Sequence, residues 1–126
     1  MVSSLTEVAV DCADPHALAG FWCRVLGYEV REVDDDQGYV SIGPAPGSPA
    51  AAGAPTLGFA RVPEPKTVKN RLHLDLTPSD RDQDAEVRRL LALGARRAGV
   101  GADEHPWVVL LDPEGNELCV LASQAV

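Results

Sequence analysis

Arg71, His73 and Asp75 occupy alternate positions of the stretch Asn70-Arg71-Leu72-His73-Leu74-Asp75-Leu76, with leucines between them. A period of two marks a strand with one face in a core and the other toward water or a cavity. A cation, an imidazole and a carboxylate on one face supply polar anchors and a proton carrier, so this strand is a candidate site wall. The alternative is a solvated face with a hydrogen-bonded histidine. The same alternation near the N-terminus favours the site: Glu7, Ala9 and Asp11 oppose Val8 and Val10. It returns near the end of the chain, where Glu117, Cys119 and Leu121 oppose Leu118 and Val120.

These side chains need elements to hold them, and the sequence marks those elements clearly. Asp14 is placed to cap a helix that starts at Pro15, where a missing N–H costs nothing. Leu18, Phe21, Trp22, Val25 and Leu26 form its apolar stripe, and Gly27 suits a left-handed stop. The adjacent Phe21 and Trp22 are read as core. Tyr28 to Val33 and Gly38 to Ile42 read as strands around the turn Asp34-Asp35-Asp36-Gln37-Gly38, whose aspartates are taken as turn residues rather than a calcium site. Pro44 to Pro55 is a Pro/Ala/Gly surface loop, and Thr56 to Ala60 a short strand. Val62-Pro63-Glu64-Pro65-Lys66 is a stiff connector.

A second helix follows, capped by Ser79 or Asp80, with Asp82, Asp84 and Glu86 in its first turns, Val87, Leu90 and Leu91 on its buried face, and Gly94 at its end. Arg96 to Val100 and Trp107 to Leu111 read as strands, Asp112-Pro113-Glu114-Gly115-Asn116 as a turn, and Glu117 to Ala122 as the last strand. The expected core includes Leu72, Leu74, Val8, Val10, Leu118, Val120, Phe21 and Leu90.

A chain of 126 residues fits one domain with a single core. Its formal charge of −8 speaks against nucleic-acid and anionic-membrane partners. No apolar run approaches the roughly 20 residues that span a bilayer, and no signal peptide is visible. Three cysteines without a disulfide spacing fit reduced thiols, so a cytoplasmic protein is expected.

The order β-α-β-β-β occurs twice, about residues 5–60 and 70–122. Glu7 precedes Asp14 by seven residues as His73 precedes Asp80, and Leu26-Gly27 is echoed by Leu93-Gly94. The expected fold is α+β: two βαβββ repeats forming a cupped mixed sheet with helices outside. On Asp14-Pro15, Ala19-Gly20-Phe21-Trp22, Leu26-Gly27, Val62-Pro63-Glu64-Pro65-Lys66, Asn70-Arg71-Leu72-His73-Leu74-Asp75 and Asp112-Pro113-Glu114-Gly115-Asn116-Glu117, the chain resembles the vicinal oxygen chelate superfamily. That superfamily includes glyoxalase I, bleomycin-resistance proteins and extradiol dioxygenases, and the likeness is greatest to its small glyoxalase-like members.

The resemblance implies a divalent metal held by the first and last strands of each repeat. Its positions fall on Glu7, His73 and Cys119, with no coordinating side chain from Leu57 to Ala60. That set suits zinc better than iron, and Glu117 is placed to substitute for Cys119. The other reading makes Cys119 a small buried residue and His73 part of a polar floor. Cys119 as a nucleophile with His73 as its base is a further reading. Cys12 and Cys23 are read as core, and His16 and His105 as solvent-facing.

Two functions follow. One is a metal-free cup that binds a small organic molecule, with Arg71 and Asp75 as anchors and Ala9, Trp107 and Leu121 as lining. The other is a metal-dependent lyase or isomerase acting on vicinal oxygens, with Glu117 or Asp11 moving a proton. A plain interaction domain fits less well with so many charged groups on strand faces. Glyoxalase I activity itself is not expected, because two ligand positions are altered. The resemblance also implies a homodimer, and short sheets leave edges that need cover.

Overall fold

The structure is a computed structural model, and it describes residues 1–48, 53–99 and 105–122. The chain divides into two compact units, Met1–Pro65 and Lys66–Val126. Each unit carries one helix and a four-stranded mixed sheet, so the fold is α+β with two βαβββ repeats.

In the first unit, β1 (Glu7–Cys12), α1 (Pro15–Leu26), β2 (Tyr28–Asp34), β3 (Tyr39–Pro44) and β4 (Thr56–Arg61) follow in order. The sheet order is β1-β4-β3-β2, with β1 parallel to β4 and the other pairs antiparallel. Helix α1 begins and ends where its punctuation requires. The Asp14 carboxylate accepts from the Ala17 amide at 3.1 Å, and Gly27, at φ 68°, donates its own amide to the Cys23 carbonyl. Leu18, Phe21, Trp22 and Val25 are buried, and α1 packs on β3 and β4, whose Val40, Ile42, Leu57 and Phe59 are also buried. Each such side chain removed from water contributes roughly 1.5–3 kcal/mol. Val8 and Val10, expected in the core, are only half-buried; of the two cysteines expected there, Cys12 is buried and Cys23 half-buried.

The second unit contains β5 (Leu74–Leu76), α2 (Gln83–Leu93), β6 (Arg96–Arg97), β7 (Val108–Leu111) and β8 (Glu117–Val120). Its order, β5-β8-β7-β6, repeats the first, with β5 parallel to β8. Val87 and Leu90 of α2 are buried along with Leu110, Leu118 and Val120 of the sheet, and α2 packs on β8. The turn before β8 is fixed by Asp112, which is 1% exposed and accepts from the amides of Glu114 and Asn116 at 2.9 Å.

Three expectations need correction here. The strand proposed from Asn70 shrinks to Leu74–Leu76, because the Asn70 amide donates to the Glu117 carboxylate instead of a neighbouring strand. Leu72 lies upstream of that strand and is 81% exposed rather than core; Leu74 is half-buried. Helix α2 is capped by Asp82, which accepts from the Ala85 amide at 2.7 Å, while Asp80 pairs with Arg81. The expected strand end at Val100 lies outside the described residues, as does part of the Pro44–Pro55 loop, and Pro44 itself closes β3. Among the described residues no helix is long and apolar enough to cross a membrane.

Candidate functional site

The register of β8 decides what the second unit presents on the face turned away from α2. Cys119 pairs with Asp75 of β5 on one side and with Val109 of β7 on the other, and Glu117 pairs with Leu111. Side chains at paired positions share a face, so Asp75, Cys119, Val109, Glu117 and Leu111 point together. They border a cavity of about 690 Å³ whose other walls include Lys69, His73, His105, Trp107 and Leu121. Its size and its mix of apolar and polar groups are those of a small-molecule site.

His73 stands immediately before β5. Its Nδ1 lies 3.0 Å from Asp75 Oδ1 and 3.9 Å from Cys119 Sγ, so one ring nitrogen faces both a carboxylate and a thiol. A nitrogen, an oxygen and a sulfur from these three residues all lie within 4.8 Å of one another. Burial pushes the Cys119 thiol above its ordinary value, and the charge and hydrogen bond of Asp75 push it further; Lys69 opposes them weakly. Without a cation this thiol is protonated at neutral pH, which runs against a Cys119 nucleophile.

Glu117 has a separate set of partners. It accepts from Lys66 Nζ at 2.7 Å and from the Asn70 amide at 3.0 Å. Burial raises its proton affinity, but the Lys66 ammonium and the Asn70 amide outweigh it and hold the carboxyl below the ordinary glutamate value. The same clasp fixes the 66–70 segment against the start of β8, helped by Asn70 Nδ2 on the Asn116 side chain.

In the first unit, Glu7 is enclosed by hydroxyls. Tyr39 donates to Oε2, and Ser41 and Thr56 donate to Oε1 at 2.7 and 3.1 Å. These donors outweigh the burial that would raise its pKa and leave Glu7 lowered, while Tyr39 is raised by burial and by that hydrogen bond. Gly58 makes room for the contact: a Cβ there would stand 2.5 Å from Tyr39 Oη and 2.8 Å from Glu7 Oε2.

Of the residues singled out from the sequence, His73, Asp75, Trp107, Glu117, Cys119 and Leu121 all border the one cavity. Glu7 and Asp11 belong to the first unit, where Asp11, like Ala9, is exposed on β1. Arg71 is exposed and outside the cavity lining. Sequence reasoning missed Lys69 and the role of His105. His105 is exposed as expected, but its ring lies flat on that of Trp107, with centroids 4.4 Å apart and an interplanar angle of 6°. A signal for it existed: His105, Trp107, Val109 and Leu111 fall at alternate positions, and all four line the cavity.

Two βαβββ units of this kind define the vicinal oxygen chelate class of fold. The chain belongs to the glyoxalase-like domain family, whose match spans residues 7–121. It is similar in structure to a glyoxalase/bleomycin resistance protein/dioxygenase family enzyme from Burkholderia phytofirmans PsJN, with TM-score 0.65 and 19% identity over 94% of this chain and 97% of that one. The fosfomycin resistance protein FosX from Mesorhizobium loti superposes with TM-score 0.70 at 11% identity, covering 100% and 95%. A mutant FosX from Listeria monocytogenes, in complex with Mn(II) and dihydroxypropylphosphonic acid, superposes with TM-score 0.69 at 13% identity, covering 98% and 93%. At such identities the likeness speaks for the fold alone. No curated protein matches the chain.

Proposed function

We propose that this protein binds a small organic molecule in the cavity of its second unit. The carrying observation is the convergence of Trp107, Leu121, Val109 and Leu111 with His73, Asp75 and Lys69 around one space of ligand size. In this reading Asp75 orients the His73 ring through Nδ1, and the aromatic and aliphatic walls exclude water from the ligand. Arg71 serves as an outer anchor. The test is a small-molecule fragment screen read by NMR shifts of the Trp107 indole and the His73 and His105 rings. Binders should perturb these signals together, and His73→Ala should abolish binding at little cost in stability. Binders that shift only signals of the first unit would overturn the assignment.

The clustering of His73, Asp75 and Cys119 favours a second reading, a metal-dependent lyase or isomerase. His73, Asp75 and Cys119, whose donor atoms all lie within 4.8 Å of one another, would hold the metal, and nitrogen, carboxylate and thiolate are a zinc-compatible set. The chemistry a bound zinc supplies is polarisation of adjacent ligand oxygens. Proton movement falls to Glu117, after loosening its hold on Lys66; Glu7 and Asp11 belong to the first unit. Elemental analysis of protein purified without a histidine tag tests this reading, which requires close to one zinc per chain, lost in Cys119→Ser. A homodimer acting in the cytoplasm completes the proposal, and a monomer in sedimentation at micromolar concentration would remove the dimer.

A further inference from the structure

The charges around the cavity are not equally committed. Asp75 is engaged by His73 at 3.0 Å, and Glu117 by Lys66 at 2.7 Å and the Asn70 amide. Lys69 is the remaining charged residue of the lining, and among the described residues it forms no ion pair or hydrogen bond. The rings of His105 and Trp107, both in the lining, are stacked face to face, so a further flat ring can extend the stack on one outer face, and Val109, Leu111 and Leu121 provide aliphatic surface. A flat apolar body can lie against such rings by offset stacking, and an ammonium without a partner favours a negative group at the body's edge.

We infer that the cavity takes a planar aromatic anion, an arenecarboxylate or a phenolate, with its ring extending the His105–Trp107 stack and its charge on Lys69. This rests on the proposal that the second-unit cavity is a binding site, and it adds the ligand's shape and sign. A cationic ligand would have to displace His73 from Asp75 and would meet Lys69; a neutral ligand would leave Lys69 unused.

The test compares three probes of one shape, 2-naphthoate, 2-naphthamide and 2-naphthylmethylamine, by calorimetry with NMR observation of the Trp107 indole. The inference requires naphthoate to bind at least about tenfold more tightly than the other two, a difference of the size one charged contact provides. Lys69→Met should erase that preference by bringing naphthoate affinity down to that of naphthamide, and Trp107→Ala should weaken all three. Lys69 is exposed, so its replacement leaves the fold intact, and an unchanged melting temperature verifies this. Equal binding of naphthoate and naphthamide, or tighter binding of the amine, would overturn the charge assignment and leave the cavity proposal standing. Failure of all three probes to perturb Trp107 would overturn the inference together with the reading on which it rests.

Discussion

The phenolic hydroxyl of Tyr39 reaches the carboxylate of Glu7 across a gap that exists because residue 58 has no side chain. Three hydroxyls then satisfy one ionised group within a single unit. Tyr39→Phe removes one donor and should cost about 1 kcal/mol, a typical loss for a hydrogen bond to a partly buried acceptor. It should also move the Glu7 pKa upward, observable by NMR titration. Gly58→Ala drives a methyl group into both partners and should cost about 1–3 kcal/mol. An alanine variant as stable as the parent in urea unfolding would show that the contact is dispensable.

Acid should weaken the fold in a defined window. Glu7 and Glu117 are both held below the ordinary value of 4.5 because hydrogen bonds outweigh burial. A carboxyl with a lowered folded pKa gives its full stabilisation above the unfolded value and loses it as pH falls through the folded one. The urea midpoint should therefore decline below about pH 4.5. Glu7→Gln and Glu117→Gln should each flatten part of that decline, and an acid limb identical in both variants would exclude these groups as its source.

Cys119 should resist alkylation. Its thiol lies above the ordinary 9.0 through burial and through Asp75. Mass spectrometry resolved by site should find iodoacetamide reacting half-maximally only above that pH. Asp75→Asn removes a negative charge and an acceptor, so the rate at pH 8 should rise. A reactive Cys119 at neutral pH in metal-free protein would revive the nucleophile reading.

Leu72 and Leu74 look equivalent in the sequence and are not. Leu74→Asp puts a charge beside Leu118 and should cost about 2 kcal/mol or more, whereas Leu72→Asp should stay within about 0.5 kcal/mol. Thermal unfolding of the two variants gives the comparison. Helix α1 was legible to the residue because Asp14, Pro15 and Gly27 act locally on the backbone. The bordering of one cavity by Asp75, Cys119 and Glu117 was legible too, since alternation alone sets a strand's faces. The start of β5 was not legible, because it depends on the Glu117 side chain capturing the Asn70 amide 47 residues away. The hydroxyl shell of Glu7 was hidden for the same reason: Tyr39, Ser41 and Thr56 reach it only through the strand pairing.

Breaking the Glu117 clasp should loosen the segment that carries Lys69. Glu117→Ala leaves the Asn70 amide and Lys66 without their shared acceptor. Amide exchange at Asn70 should accelerate while exchange at Leu118 and Val120 stays slow. Equal acceleration at all three would mean that Glu117 supports the whole sheet rather than the segment.

In both sheets the first strand of the repeat lies parallel to the last, with Ala9 paired to Gly58 in the first unit and Asp75 paired to Cys119 in the second. One half has filled its polar face with its own hydroxyls; the other keeps a hollow. A division of labour follows for genetic variation. Changes on the polar face of the first sheet should register as lost protein abundance, and changes at matching positions of the second as altered binding by a protein still present. The halves of this chain thus repeat one strand order while their polar faces hold different groups.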